Sequence, residues 1–297
     1  MFSELSKLIG KNFAIGYFVP VVVFLSVLLP TIQLLGDFEL PYQKVGQDLA
    51  LLTSLVALAI WLVAIVLVGF NKLIYRALEG YGVLNPLQFF HFIEKTQFGK
   101  LKAEFEVLYA KVVNSEGGRN SERDRSRLAR LGQRLSQRYP DDERWLLPTS
   151  FGNTIRAFEV YPRVMYGIEG IQGWIRLIAV IPKDYAELLE NSKAQADFWV
   201  NLFFLTFIYI VYSLAAMIWT SNYSFLWGPA IASVISIVFY SLARSCVQEW
   251  GELVKAAFDV FLNDLEKKLG FSSKFSLRGK MTKWQEISQG MSYRKPF

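Results

Sequence analysis

The chain has 297 residues, of which 53% are apolar and only 20% carry a formal charge, with a net charge of +6. Ordinary soluble domains carry roughly 25% charged residues, so charge is sparse here, but a dense soluble core has the same average and the distribution along the chain must decide between it and a membrane protein. A single cysteine, Cys246, excludes an intrachain disulfide and a cysteine-based zinc site within one chain, and a single histidine, His91, is the only residue left for histidine catalysis.

Four stretches are long and apolar enough to cross a bilayer, which takes about 20 residues at 1.5 Å each. The first runs over residues 13–35 and the second over 49–70, and neither contains a charge. The third covers about 198–220 and the fourth about 225–243. The first is too long for the apolar part of a signal peptide, and Gln33 to Asp37 make a poor cleavage site, so it reads as a retained span. Short connections, at 36–48 and 221–224, predict two antiparallel helical hairpins.

Lysine and arginine predict the orientation. Residues 71–197 hold 19 of them and the tail from Arg244 holds 10. Lys7 and Lys11 precede the first span, and only Lys44 lies in a hairpin loop. The middle segment and both termini are therefore expected in the cytoplasm. The expected layout is all-α: a polytopic membrane protein of four transmembrane helices as two hairpins, with a helical cytoplasmic domain. Its parts are a first hairpin (1–74), a cytoplasmic helical domain (75–194), a second hairpin (195–246) and a cytoplasmic amphipathic helix with a basic tail (247–297).

Within the middle segment, Gly80 and Gly82 end the continuation of span two, and Asn85-Pro86 signals a new helix. Apolar residues at helical spacing from Phe89 to Val112 predict one long amphipathic helix over 87–113, kinked near Gly99. Gly117-Gly118 reads as a turn. Residues 123–138 read as a second helix, with Leu128, Leu131 and Leu135 on one face and five arginines exposed. Asp141-Asp142-Glu143 reads as a helix start. Residues 174–181 are too short to span and suit an interfacial helix. After span four, Val247, Trp250, Val254, Phe258, Phe261, Leu262 and Leu265 predict an amphipathic extension ending near Gly270. The stretch 272–297 holds six cations against Glu286 and reads as a flexible basic tail facing anionic lipid.

Residues 146–173 differ in character, with polar and aromatic residues interleaved with glycine. Thr149 or Ser150 suits the cap of a short helix that carries Asn153, Arg156 and Glu159. Candidate residues of this elbow are Thr149, Gly152, Asn153, Arg156, Glu159, Arg163, Tyr166 and Glu169. Pro148, Thr149, Gly152 and Asn153 make a Pro-Thr-x-x-Gly-Asn pattern, followed downstream by Met165-Tyr166-Gly167. Here the chain resembles a family of uncharacterised bacterial four-span membrane proteins that carry this motif, with Met165 where a basic residue is expected. The likeness covers residues 145–200 and the span layout. It implies architecture and a bacterial inner (plasma) membrane location, and it brings no activity.

Chemistry is sparse. His91 lies between phenylalanines and reads as buried or interfacial. Neither a phosphate-binding glycine loop nor a carboxylate run of metal-binding spacing occurs, so the expectation is not an enzyme, with no cofactor and no metal. Ionisable groups are absent from the span centres, which disfavours a coupled transporter. Gly228, Ala232 and Ser236 recur every fourth residue in span four, a spacing for close helix packing, and Asn201 and Thr206 add polarity to span three. These five are the helix-packing or pore candidates. Two functional readings follow. One is a homo-oligomeric channel or pore with a cytoplasmic control domain. The other is a non-conducting membrane-anchored scaffold or sensor that binds lipid, protein or RNA through its basic helices. Anionic headgroups are the first expected partner, and nucleic acid the second.

Overall fold

The structure, a computed structural model, describes residues 10–35, 49–82, 85–114, 119–223, 225–270 and 277–293. The connection around Lys44, the turn at Gly117-Gly118, and Lys7, Lys274, Arg294 and Lys295 lie outside the described residues. Every regular element among the described residues is helical. Helix α1 consists of Lys11–Phe13, a π-helical turn at Ala14–Phe18 and Val19–Leu35. Then come α2 (Leu49–Glu79), α3 (His91–Val113, entered through a 3-10 turn at Pro86–Phe90), α4 (Arg119–Arg138), α5 (Ser150–Tyr166), α6 (Gly170–Leu177), α7 (Lys183–Thr220), α8 (Trp227–Lys268) and α9 (Leu277–Tyr293). Four of these, α1, α2, α7 and α8, are long and apolar enough to cross a membrane.

The chain divides into two compact units. The first is Met1–Tyr75 with Glu190–Cys246, and the second is Arg76–Leu189 with Val247–Phe297. The first unit contains the apolar stretches of all four long helices. Its large apolar side chains are mostly turned outward, as at Val27, Leu58, Leu62, Val66 and Val234. That is the arrangement hydrocarbon favours, because a lipid-facing leucine loses nothing to its solvent. Its interior is consequently small and partly polar.

The second unit has a conventional core. Phe98, Tyr139 and Leu146 form one cluster, with Leu101 and Leu135 against it. The lower half of α8 buries Val247, Val254, Ala257, Phe258, Leu262 and Leu265, so the predicted apolar stripe is consumed inside this unit. Helix α3 runs unbroken through Gly99. It is apolar on both sides rather than amphipathic: Phe98 and Leu108 are buried, whereas Phe92, Val107, Tyr109 and Val113 are exposed. His91 is exposed at the head of α3, not buried.

The largest departure from expectation is the tail. Instead of a free basic segment, Leu277–Tyr293 forms helix α9, with Trp284 and Ile287 buried. The Trp284 indole donates to Glu266 at 3.1 Å, Lys280 pairs with Glu266 at 2.8 Å, and the Ser288 hydroxyl accepts from the Glu169 N–H. Two buried apolar residues and a shared carboxylate hold down a helix that its net charge alone would send into solvent. Helix α6 is likewise a packed element of the second unit. Its Gly173 lies against Ile168 and Phe258, and Trp174 meets Phe258.

Candidate functional site

A row of buried polar groups lies in the first unit, along α7. Asp197, Asn201, Tyr209 and Ser213 recur in steps of four or eight residues, so they share one helix face, with Leu205 in the remaining position. All five are buried. At the head of this seam, the Asp197 carboxylate receives four donors from three helices. Tyr17 (α1) donates at 2.9 Å, Tyr75 and Asn71 (α2) at 2.8 and 3.4 Å, and Lys193 one turn earlier on α7 at 2.7 Å. The ammonium of Lys193 also stands 5.7 Å from the Tyr75 ring centre. A buried carboxylate is tolerated only where such charge-assisted bonds replace its water.

The next residue down the seam meets an irregularity in α1. Pro20 has no N–H, so in a regular helix the carbonyl four residues earlier, on Gly16, lacks its donor. Around it the helix opens into the π-helical turn. The amide of Asn201 donates to that Gly16 carbonyl at 2.8 Å. Helix α7 passes close to Gly16, where a Cβ would meet the Ala194 carbonyl and the Asp197 Cβ at 3.4 Å, in ordinary van der Waals contact. Asn201 is fully buried and its Oδ1 has no partner, and the buried Ser213 Oγ and Asn71 Oδ1 are also unpartnered. Between them, the Tyr209 hydroxyl pairs with Thr31 of α1 at 3.2 Å. The seam therefore offers one carboxylate and two unpartnered oxygens, with a third, Asn71 Oδ1, beside its head on α2.

The sequence-derived candidates fall in two places. In span three, Asn201 belongs to this seam, whereas Thr206 lies on a neighbouring face and lines an apolar cavity. In span four, Gly228, Ala232 and Ser236 are buried inside the first unit. Gly228 lies under the Phe225 ring, where a Cβ would come within 2.3 Å.

The elbow candidates lie along and just beyond α5 in the second unit. Thr149 is the N-cap: its Oγ accepts from the Gly152 N–H at 2.9 Å and donates to the Leu78 carbonyl at 2.6 Å, near the end of α2. Gly152 is required by contact, since a Cβ would stand 2.7 Å from the Glu79 carbonyl oxygen. Asn153, fully buried, bonds both backbone groups of Leu147 and donates to Glu94 at 3.1 Å. Arg156 pairs with Glu159 at 3.2 Å and with the Tyr81 hydroxyl. Arg163 stacks on Trp145 and pairs with Glu169 at 3.5 Å. The hydroxyls of Tyr166 and Tyr161 converge on one oxygen of Asp259, at 2.6 and 2.8 Å. Gly167 ends the helix with a positive φ of 78° and lets the backbone of α9 approach at Met281.

Glu79 stands nine residues beyond the charge-free stretch of α2, past Lys72 and Arg76. Burial and the neighbouring Glu159 push its carboxyl up to about 7, against the pull of Arg156 and Arg76. Burial also raises Glu159, opposed by Arg156. Apart from this cluster, the polar groups of the elbow serve as caps and struts that fasten α5 to its neighbours.

In the sequence Asp197 stands one residue before the third apolar stretch, with nothing local to point to its partners Tyr17, Asn71 and Tyr75. The four-residue recurrence of Asp197, Asn201, Tyr209 and Ser213 in an otherwise apolar stretch was the available signal. Comparison with protein-family models, with curated proteins and with solved structures finds no match to this chain.

Proposed function

We propose that this protein is a cation-conducting membrane protein of the channel class, with the α7 seam as its conducting element. In this reading the bilayer is crossed by two hairpins. The second unit and both termini face the cytoplasm of a bacterium, as the lysine and arginine distribution and the family resemblance suggest. The observation that carries the reading is Asp197. It is a buried carboxylate in the unit built from the long apolar helices, continuous with the unpaired acceptor of Asn201. Asp197 stands at the edge of the third apolar stretch and Asn201 one turn inside it; buried ionisable and unpaired polar groups there are expensive, and they persist where an ion or proton uses them. The chemistry suits protons or a small monovalent cation: a carboxylate whose charge the Lys193 ammonium balances at rest, neutral oxygens beyond it, and buried Leu205 as a dry constriction between Asn201 and Tyr209.

A homo-oligomer suits the second unit, because Phe89 in the turn that enters α3, and Phe92 and Val107 on α3, are 81%, 77% and 73% exposed. Apolar surface of that extent outside lipid calls for a cover, and a second copy supplies one. The test is flux. Proteoliposomes holding a proton or sodium gradient should discharge faster than empty liposomes, and Asp197→Asn should slow the discharge at least tenfold. Discharge at the empty-liposome rate with both cations overturns the proposal.

A non-conducting scaffold or sensor is the second reading, and one observation favours it. Arg123, Arg125, Arg130 and Arg134 are exposed along α4, with Arg127 beside them paired to Glu104. Such a row suits anionic headgroups. Salt-sensitive binding to anionic vesicles, lost on replacing Arg125, Arg130 and Arg134 by glutamate, together with absent flux, would favour it.

A further inference from the structure

The first unit also contains a cavity of about 240 Å³ between α1, α7 and α8. Leu205 and Ala232 floor it, and both are buried. Val27, Ile231 and Ile235 form its rim, and all three are exposed on stretches long and apolar enough to cross a membrane. Trp227 and Phe239 line its two ends on α8. Twelve residues of helix separate them, or about 18 Å at 1.5 Å per residue. One leaflet of a bilayer's hydrocarbon is about 15 Å deep.

We infer that this groove is a binding site for one acyl chain of a phospholipid, drawn from the leaflet on the side of Trp227. Three observations converge on that occupant. The rim continues into the apolar belt of the long helices, so the medium at its mouth is hydrocarbon and not water. The lining carries almost no polar group for a headgroup: Tyr209 spends its hydroxyl on Thr31, leaving the Thr206 hydroxyl and the Trp227 indole. Trp227 sits at the hairpin end of α8, where amphipathic rings mark the membrane–water boundary, so a chain entering there runs inward toward Phe239. A slot of one leaflet's depth holds a chain extended along α8, and its walls surround that chain more closely than the open belt does, with a larger dispersion attraction.

The groove shares Leu205 and Tyr209 with the seam, but its occupancy does not require conduction, and its test reads lipid contact rather than flux. The full chain is reconstituted with phosphatidylcholine that bears a diazirine at the end of one acyl chain, then photolysed and mapped by peptide mass spectrometry. Labelling is expected at the deep end, on the peptides holding Leu202 and Phe239, at least fivefold above the exposed Leu58–Leu62 face of α2. Ala232→Phe fills the floor and should cut that labelling at least threefold while leaving α2 unchanged. Ile235→Trp does the same from the rim, where no core packing is disturbed. Uniform labelling over all exposed apolar faces overturns the site. So does a disulfide between copies of Ile231→Cys in a Cys246→Ser background with no groove labelling, which would assign the groove to a second copy.

Discussion

Asn201 stands in for the backbone N–H that Pro20 lacks. Its amide nitrogen donates to the Gly16 carbonyl at 2.8 Å, the acceptor that residue 20 of an unbroken helix would serve. Helices in lipid must satisfy their backbone internally, and here the donor comes from a residue 185 positions away. Asn201→Leu should therefore destabilise the purified protein by about 1–2 kcal/mol, the cost of a buried carbonyl left short of a donor. Pro20→Ala restores a local N–H and should return most of that loss in the double variant. Thermal unfolding in detergent of both singles and the double closes the cycle. Simple additivity would mean that the two residues do not share the carbonyl.

Gly152 and Gly99 should respond to alanine with opposite signs. At Gly152 the new methyl would sit 2.7 Å from the Glu79 carbonyl oxygen and 2.9 Å from its Cα, so backbone must move. Overpacking of this kind costs about 1–3 kcal/mol. At Gly99, inside α3, nothing lies within 4 Å, and alanine should stabilise by about 0.5–1 kcal/mol through lower chain entropy. Melting temperatures of the two variants in detergent check both.

The second unit should lose stability as pH rises from about 4.5 toward about 7. Glu79 holds its proton more tightly in the folded protein than in the unfolded chain, where its pKa is near 4.5. Across that window the folded state binds more protons, so the stabilisation present below pH 4.5 fades as pH passes through the folded value. Glu79→Gln should flatten the dependence. Denaturant unfolding of wild type and variant at pH 4.5, 6 and 8 measures it, and identical slopes would assign the effect elsewhere.

Trp284 should prove to be the anchor of α9. It is buried and its indole donates to Glu266, which Lys280 also holds. Trp284→Ala should cost about 3 kcal/mol and release residues 277–293 to rapid amide exchange while α8 stays protected. Exchange measured by mass spectrometry separates this local loosening from global unfolding.

The long helices were legible in the sequence because their signal is local: a charge-free run of 22 residues states its own length. The Thr149 cap and the α8 stripe were legible for the same reason. The Asp197 node was not, because its partners Tyr17 and Tyr75 stand 180 and 122 residues away, and an aromatic residue at a span end reads equally as a membrane anchor. Helix α9 was hidden by its charge. Trp284 and Ile287 are two apolar positions among many cations, too few for a periodicity but enough once Glu266 is brought beside them. Of the two readings of His91, burial fails because its phenylalanine neighbours are themselves exposed.

The second unit is assembled from two stretches of chain, 76–189 and 247–297, with 57 residues of the first unit made between them. During synthesis its opening half emerges from the ribosome without Phe258, Leu262 or Trp284, and it cannot close until the final fifty residues follow. A nascent chain stalled before residue 247 must keep that half waiting, soluble but uncovered, while α7 and the start of α8 find their place. Truncation at the carboxyl end should therefore be felt as failed maturation of the middle of the protein, and a continuous fragment of residues 80–190 is a poor surrogate for the intact unit.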